Sequence, residues 1–490
     1  MSSLSPQTAQ AAPSSAVAAA PVSEIDVSCR LPLLVLFVSA AKWLVIAWVF
    51  ELIASIKFHS PGFLADVSWL TYGRVHPAFT NSLLYGFCVQ AGLGVTLWLL
   101  AQMGAASLAN RFVVTAGSIF WNLGVTVGVI GILAGDSTGF EHLEMPGYAA
   151  VLVLIGYLLI GLWGVVTFHQ RRERKLTASH WFLLTALFWF PWIYSTAYLL
   201  LITFPVRGID QAVIAWWYSD NLLVVWLASV GLATIFYIAP RLVGRELHSP
   251  YLALFAYWML ILFAGWGGIP NSAPVPTWIP ALSTIGTVLS VLVAPAVALN
   301  IFRSTSGLSR GAWQNSPMAF FIFGVGAFII SIIVRAVCAL LDAAPSLQLS
   351  WFGPAISQLT IYGFFTMVMF GAIYIIMPRL LGIGLPWPKL VRAHLWLSVV
   401  GILLIVLPWA IGGIVQERKL DGTTQPFVQV MGSTLSFLRV STVGDLLLLV
   451  GHLLLLTNVI GLVVGFYRAR AAATYSVLTE DLFKPAGARS

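Results

Sequence analysis

Ionisable side chains are scarce in this chain, and those inside apolar runs are the ones placed to do chemistry. Lys42, Asp220, Arg335, Asp445 and His452 each lie within a long greasy stretch. A charge in such a setting needs a counter-ion, a proton or a hydrogen-bond donor, so all five are candidates for handling ions or protons. Asp220, in Trp216-Trp-Tyr-Ser-Asp-Asn221, sits two to three turns into its span, and structural pairing and an ion role are both open to it. Lys42 and Arg335 have stems long enough to snorkel or to pair structurally. Haem iron or copper inside a bundle calls for imidazole. Of eight histidines, His59, His142, His169 and His248 fall in expected loops, and His76, His180 and His394 at helix starts. Only His452 lies deep in a span, where a hydrogen bond to a neighbouring helix is its expected role. Glu141 and Glu144 share a short loop and form a candidate cation site if other oxygens complete the shell. Cys29, Cys88 and Cys338 are too scattered for a disulfide framework or a zinc site.

The elements that carry these residues follow from composition. Among 490 residues there are 25 Lys+Arg and 17 Asp+Glu, so 9% are charged, against roughly 25% in a soluble domain. Apolar residues make up 59%, more than a water-soluble surface tolerates. A soluble enzyme, a nucleic-acid binder and a disordered protein are excluded. The fold class is all-α, a polytopic membrane bundle. Runs of about 20 apolar residues predict twelve spans, at 31–56, 77–103, 112–134, 147–168, 180–204, 212–239, 251–268, 278–302, 317–341, 351–377, 393–415 and 437–467. The seventh is the shortest and runs into the Gly/Pro-rich segment Gly265 to Pro280. Residues 1–30 read as a disordered cytoplasmic tail, 31–468 as the membrane domain and 469–490 as a second cytoplasmic tail. With the N-terminus inside, the cytoplasmic segments hold 17 Lys/Arg and the opposite side six, which favours twelve spans with both ends in the cytoplasm. The +8 net charge needs no further partner to explain it. Spans 6 and 10 end alike, Ile235-Phe-Tyr-Ile-Ala-Pro-Arg-Leu-Val-Gly244 and Tyr374-Ile-Ile-Met-Pro-Arg-Leu-Leu-Gly382, an echo of repeated four-helix units.

Four fragments, in order and spread over most of the chain, resemble subunit I of the haem–copper oxidases, closest to the cbb-type branch. Thr71-Tyr-Gly-Arg-Val-His-Pro-Ala-Phe-Thr-Asn81 is similar to that branch's "FGRLRPLHTN", and Gly135 to Pro146 to its Gly/Glu-rich loop. Trp216 to Asn221 stands where the family has "WWYGHN", and Gly371-Ala-Ile-Tyr-Ile-Ile-Met-Pro-Arg379 resembles "GALYYLVPR". The resemblance implies a histidine before "TN" on span 2 for the low-spin haem, and here that residue is Phe79. It implies a His-x-His for the two haems on span 10, and here Ile356 and Gln358 stand there. The copper histidine becomes Asp220, and the adjacent His-His pair falls in Gly267-Gly-Ile-Pro-Asn-Ser272. All six metal-ligand positions lack imidazole, leaving His76, one turn before Phe79, as the sole candidate for a displaced haem ligand. The family's comparable outer loop uses carboxylates to hold calcium, which gives Glu141 and Glu144 their cation expectation. Phe79, Tyr85, Phe87, Phe364, Phe365, Met367 and Met369 are candidates to fill the haem space the resemblance implies, and ordinary helix packing accounts for the same residues equally well.

The first functional expectation is therefore an oxidase-like membrane subunit without its own haem or copper. It would anchor or dock redox partners such as c-type cytochromes in a respiratory complex of the bacterial inner membrane. The second is a proton or ion translocation subunit built on Asp220, Lys42, Arg335 and His452. The third is a working cbb-type oxidase or nitric-oxide-reductase-like subunit with displaced ligands.

Overall fold

Backbone amides inside hydrocarbon must be bonded within their own segment, and this chain meets that demand with helices. The computed structural model describes residues 23–306, 316–340, 347, 349–422 and 425–483, and no strand occurs among them. The expected tail residues 1–22 and 484–490 lie outside the described residues, as do Arg310, Lys484 and Arg489 of the charge count. Twelve helices carry the twelve expected spans. They are α1 (Glu24–His59), α2 (Tyr72–Met103), α3 (Arg111–Ala134), α4 (Gly147–His169), α5 (Ala178–Thr203) and α6 (Ile209–Leu242). Then follow α7 (Pro250–Trp266), α8 (Trp278–Thr305), α9 (Pro317–Leu340), α10 (Phe352–Leu381), α11 (Pro388–Asp421) and α12 (Leu435–Phe483). Eleven are long and apolar enough to cross a membrane. The shorter one, α7, tightens into a final 3-10 turn, Ala264–Trp266, where the Gly/Pro-rich segment begins.

Two boundaries move. The first helix starts at Glu24 rather than 31, because the Ser23 side chain accepts from the Asp26 amide and Glu24 and Asp26 place acid in the first turn. The last helix continues past 468 to Phe483. His59 and His169 are the final residues of α1 and α4 rather than loop residues, and His180 takes part in a capping box with Thr177. Pro240 and Pro378 both lie in the last turn of their helices, α6 and α10.

Three helices form the inside of the bundle. The most apolar stretches of α2, α6 and α10 are 100%, 94% and 100% buried, whereas those of the other long helices are 39–56% buried and keep a face for lipid. At one end the Arg30 Nε of α1 donates to the Leu380 carbonyl of α10 at 2.7 Å, and its guanidinium covers the Phe466 ring of α12. The start of α1 and the later part of α12 therefore share one end, called here the terminal end; the opposite one is the distal end.

Small residues let the outer helices approach. Hydrocarbon gives no hydrophobic drive between helices, so close van der Waals contact must supply it. Gly401 of α11 and Gly444 of α12 face each other so tightly that a Cβ on Gly444 would sit 2.7 Å from the Gly401 carbonyl oxygen. Gly444→Val is expected to force the pair apart and cost about 1–3 kcal/mol. Gly326→Ala, at a position open to 4 Å, is expected to be neutral; thermal unfolding in detergent separates the two.

Candidate functional site

The three inner helices open at the distal end around a chamber of about 970 Å³. α2 contributes His76 and Phe79, α6 contributes Asp220, α9 contributes Arg335, and α10 contributes Ile356 and Gln358. The connection after α7 lays Gly268 against the same space, and the loop before α4 brings in Glu141, His142 and Glu144. The structure thus gathers residues from across the sequence into one place. In α2, α6 and α10 a wide π-helical turn, at Ser82–Val89, Asn221–Trp226 and Leu359–Thr366, runs beside the chamber and lends it Leu83, Leu84, Leu223 and Ile361. Such turns shift the register of one helix face against the next and occur often at functional sites.

Asp220 and Arg335 are bonded to each other as an ion pair, Oδ1 to Nη2. Asp220 is buried, while the guanidinium is partly open to the chamber. Gly267 and Gly268 press onto the carboxylate from above. A Cβ on Gly267 would lie 2.6 Å from Asp220 Oδ2, and one on Gly268 would lie 2.6 Å from Asp220 Cβ. Gly268 also has φ +98°, a backbone shape that side-chain-bearing residues rarely adopt. Asp220 Oδ2 and Gln358 Oε1 are buried acceptors with no hydrogen-bond partner among the described residues.

Phe79 is buried, edge-on to Trp48 at 5.4 Å between ring centroids. His76 stacks on Tyr72 at 5.3 Å and places Nδ1 3.6 Å from Glu51 of α1. Glu51 is buried and was not singled out from the sequence, where it reads as one more helix-end charge near Lys57. Asp445 of α12 is fully buried and interacts electrostatically with Glu51. His452 is fully buried and hydrogen-bonded to the Tyr362 hydroxyl at 2.8 Å, and it does not line the chamber. Lys42 is exposed on the bundle exterior with its ammonium 4.9 Å from the Trp43 ring, so it does not join Asp220 and Arg335.

The two loop glutamates part company. The Glu141 side chain is 73% exposed, whereas Glu144 is buried and accepts from Asn81 Nδ2 at 2.8 Å. Burial pushes the Glu144 carboxyl above its ordinary value of 4.5, opposed by His142 and the Asn81 hydrogen bond. His142, expected in an open loop, is buried instead: its Nδ1 lies 2.6 Å from Ser219 Oγ, and its carbonyl accepts from Tyr85, which also bonds Tyr218. No spacing in the sequence signals these loop-to-helix contacts. Tyr85, Phe87, Phe364, Phe365, Met367 and Met369 do fill the core around the inner helices. They pack the helix core and leave the chamber open. An empty apolar void is destabilising, but this one has charged and amide walls that water can satisfy.

The donor set does not fit two haems and an imidazole-held copper. Phe79 and Ile356 have no lone pair for iron, and Gln358 offers only an amide. Asp220 is already neutralised by Arg335, and the segment Gly267-Gly-Ile-Pro-Asn-Ser272, where the resemblance implies paired imidazoles, holds no histidine. His76 is engaged with Glu51, and the residues of α10 facing the chamber supply no second imidazole.

Eleven membrane-length helices gathered around a distal chamber define a polytopic helical membrane protein. The chain belongs to the cytochrome c and quinol oxidase polypeptide I family, whose model matches residues 32–447. It is 22% identical to the cytochrome c oxidase subunit 1 homolog of Azorhizobium caulinodans, covering 86% of this chain and 79% of that one. Identity to cytochrome c oxidase subunit 1 of Rhodobacter capsulatus is 23%, covering 86% and 83%. The cbb3-type cytochrome c oxidase subunit CcoN1 of Stutzerimonas stutzeri is 22% identical, covering 80% and 86%. Among solved structures, a heme-copper terminal oxidase dimer matches with a TM-score of 0.69 at 14% identity, over 89% of this chain and 84% of that one.

Two outcomes test the site. Arg335→Met, which strands a buried carboxylate, is expected to cost about 3 kcal/mol. Adding Asp220→Asn should recover most of the loss in a double-mutant cycle of unfolding midpoints. Glu144 carries a raised pKa in the fold, so the folded state holds its proton more tightly than the unfolded state. Its charge therefore penalises the fold above the raised pKa, and the penalty fades as pH falls through that value toward 4.5. Glu144→Gln should raise the melting temperature at pH 7–8, with the gain shrinking as the pH is lowered.

Proposed function

We propose that this chain is an oxidase-fold subunit without haem iron or oxygen-reducing copper, working as a structural and docking partner within a respiratory membrane complex. The observation that carries this reading is the Asp220–Arg335 ion pair beneath Gly267 and Gly268. It stands where the family resemblance requires copper-binding imidazoles, and it supplies a fixed cation in their place. Oxygen reduction needs an iron and a copper facing each other, and neither has a ligand set here. A surviving scaffold of this family is suited to holding neighbouring membrane subunits, including c-type cytochromes. The excess of Lys and Arg on the terminal side supports a bacterial inner-membrane orientation with both ends in the cytoplasm. The ion-translocation reading ranks second, since Asp220 and Arg335 bind each other and Lys42 faces outward, which leaves Asp445 and His452 buried on another helix.

The test is affinity purification of the full chain from its native membrane, followed by a pyridine haemochrome spectrum of the isolated subunit and identification of what accompanies it. The expected result is no haem on this polypeptide and stable co-purification with redox-active membrane subunits. Two haems per chain would overturn the proposal, and so would a monodisperse protein without partners.

A further inference from the structure

Away from the chamber, α11 and α12 bury a second set of polar atoms. His394 of α11 and His452 of α12 are both fully buried, with ring centroids 6.2 Å apart at a steep angle. Each is anchored through one nitrogen to a tyrosine of α10: His394 Nδ1 to the Tyr374 hydroxyl at 3.0 Å, and His452 Nε2 to the Tyr362 hydroxyl at 2.8 Å. The other nitrogen of each ring, His394 Nε2 and His452 Nδ1, is buried with no hydrogen-bond partner among the described residues. Two orphaned nitrogens in one seam are costly, about 1–3 kcal/mol each.

The His394 ring is turned toward α12. A Cβ on Gly451, the residue before His452, would lie 3.3 Å from His394 Cδ2. That carbon is bonded to Nε2, so the free edge of His394 is turned toward α12. The missing side chain at Gly451 is what lets it approach. The surroundings are aromatic: Phe370 lies 4.5 Å from His394 and 5.9 Å from His452, and Trp48 lies 4.6 Å from His452.

We propose that His394 and His452 form a two-coordinate site for a soft monovalent cation, copper(I), in the seam between α11 and α12. Three arguments select the ligand. Imidazole is a good copper donor through its free nitrogen, and the tyrosine bonds fix which nitrogen is free on each ring. Metal–nitrogen bonds of about 2 Å on both sides of one ion set facing ring centres about 6 Å apart, close to the spacing found. Among the described residues no Lys, Arg, Asp or Glu side chain pairs with either ring; their titratable neighbours are each other and the hydroxyls of Tyr362 and Tyr374. A divalent ion would bring two uncompensated charges into a dry site, whereas copper(I) brings one and accepts two ligands. A macrocycle does not fit, because the chamber reaches neither ring. The site is separate from every position at which the family resemblance places a metal, so it stands or falls independently of the haem-free reading.

Purified full-length protein in detergent, titrated anaerobically with copper(I) against a chromophoric chelator, tests this. One copper per chain is expected, with X-ray absorption showing two imidazole nitrogens. His394→Asn and His452→Gln should each abolish binding. Tyr362→Phe should weaken it about 10–100-fold, and His76→Gln in the chamber should leave it unchanged. Should the histidine variants fail to fold, the absorption spectrum of the wild type and the Tyr362→Phe affinity decide the matter. Absence of copper, copper retained by both histidine variants, loss with His76→Gln, or an oxygen-rich ligand shell would each overturn the proposal.

Discussion

The distal half of the molecule is organised by one carboxylate that cannot stand alone. Asp220 lies three turns into α6, among aromatic neighbours, and its charge is tolerable there only because Arg335 reaches it from α9. The reach fixes the separation of those two helices, and the glycine pair after α7 closes over the carboxylate because nothing larger fits. A buried ion pair adds little net stability compared with a well-packed apolar substitute, yet breaking it is severe. Its value lies in specifying which helices meet and where. The chamber is the space that remains when α2, α6 and α10 are held in that arrangement.

The wide turns of the inner helices belong to the same arrangement. They begin just after Asn81, Asp220 and Gln358, next to the residues that face the chamber. A register shift at these points turns a short segment of each helix toward a common centre while the rest stays packed. The family fold therefore retains a converging geometry although Phe79, Ile356, Gln358 and Asp220 present nothing to iron or copper in the manner the resemblance implies.

Polar satisfaction differs between the two buried clusters. Around the chamber, ion pairs join Asp220 to Arg335 and Glu51 to His76, while Asp220 Oδ2, Gln358 Oε1, Glu51 Oε2 and His76 Nδ1 have no hydrogen bond among the described residues. In the α11–α12 seam, imidazoles are tied to tyrosines and leave free nitrogens in aromatic surroundings. The first pattern ties α6 to α9 and α1 to α2, and the second leaves one nitrogen of each imidazole without a hydrogen bond among the described residues. Both are built partly on α10, whose near-complete burial lets it serve each of them.

Much was legible without coordinates. Long apolar runs separated by basic loops dictate spans, because hydrocarbon thickness and backbone hydrogen bonding leave a chain few alternatives. The oxidase resemblance, and the missing imidazoles, could be read from short motifs at known intervals. Pairing could not. Asp220 and Arg335 are 115 positions apart, and either could have snorkelled, taken a proton or met another partner. Glu51 looked like an ordinary charge near a helix end, His142 like a loop residue and His394 like a cap; each is buried because of what a distant helix lays over it. The sequence alone determined the helical membrane fold and the residue types at the positions the resemblance picks out, since these depend on local composition and residue identity. Only the tertiary structure decided which buried polar groups satisfy one another and which nitrogens stay free, since those energies arise between helices brought together by packing.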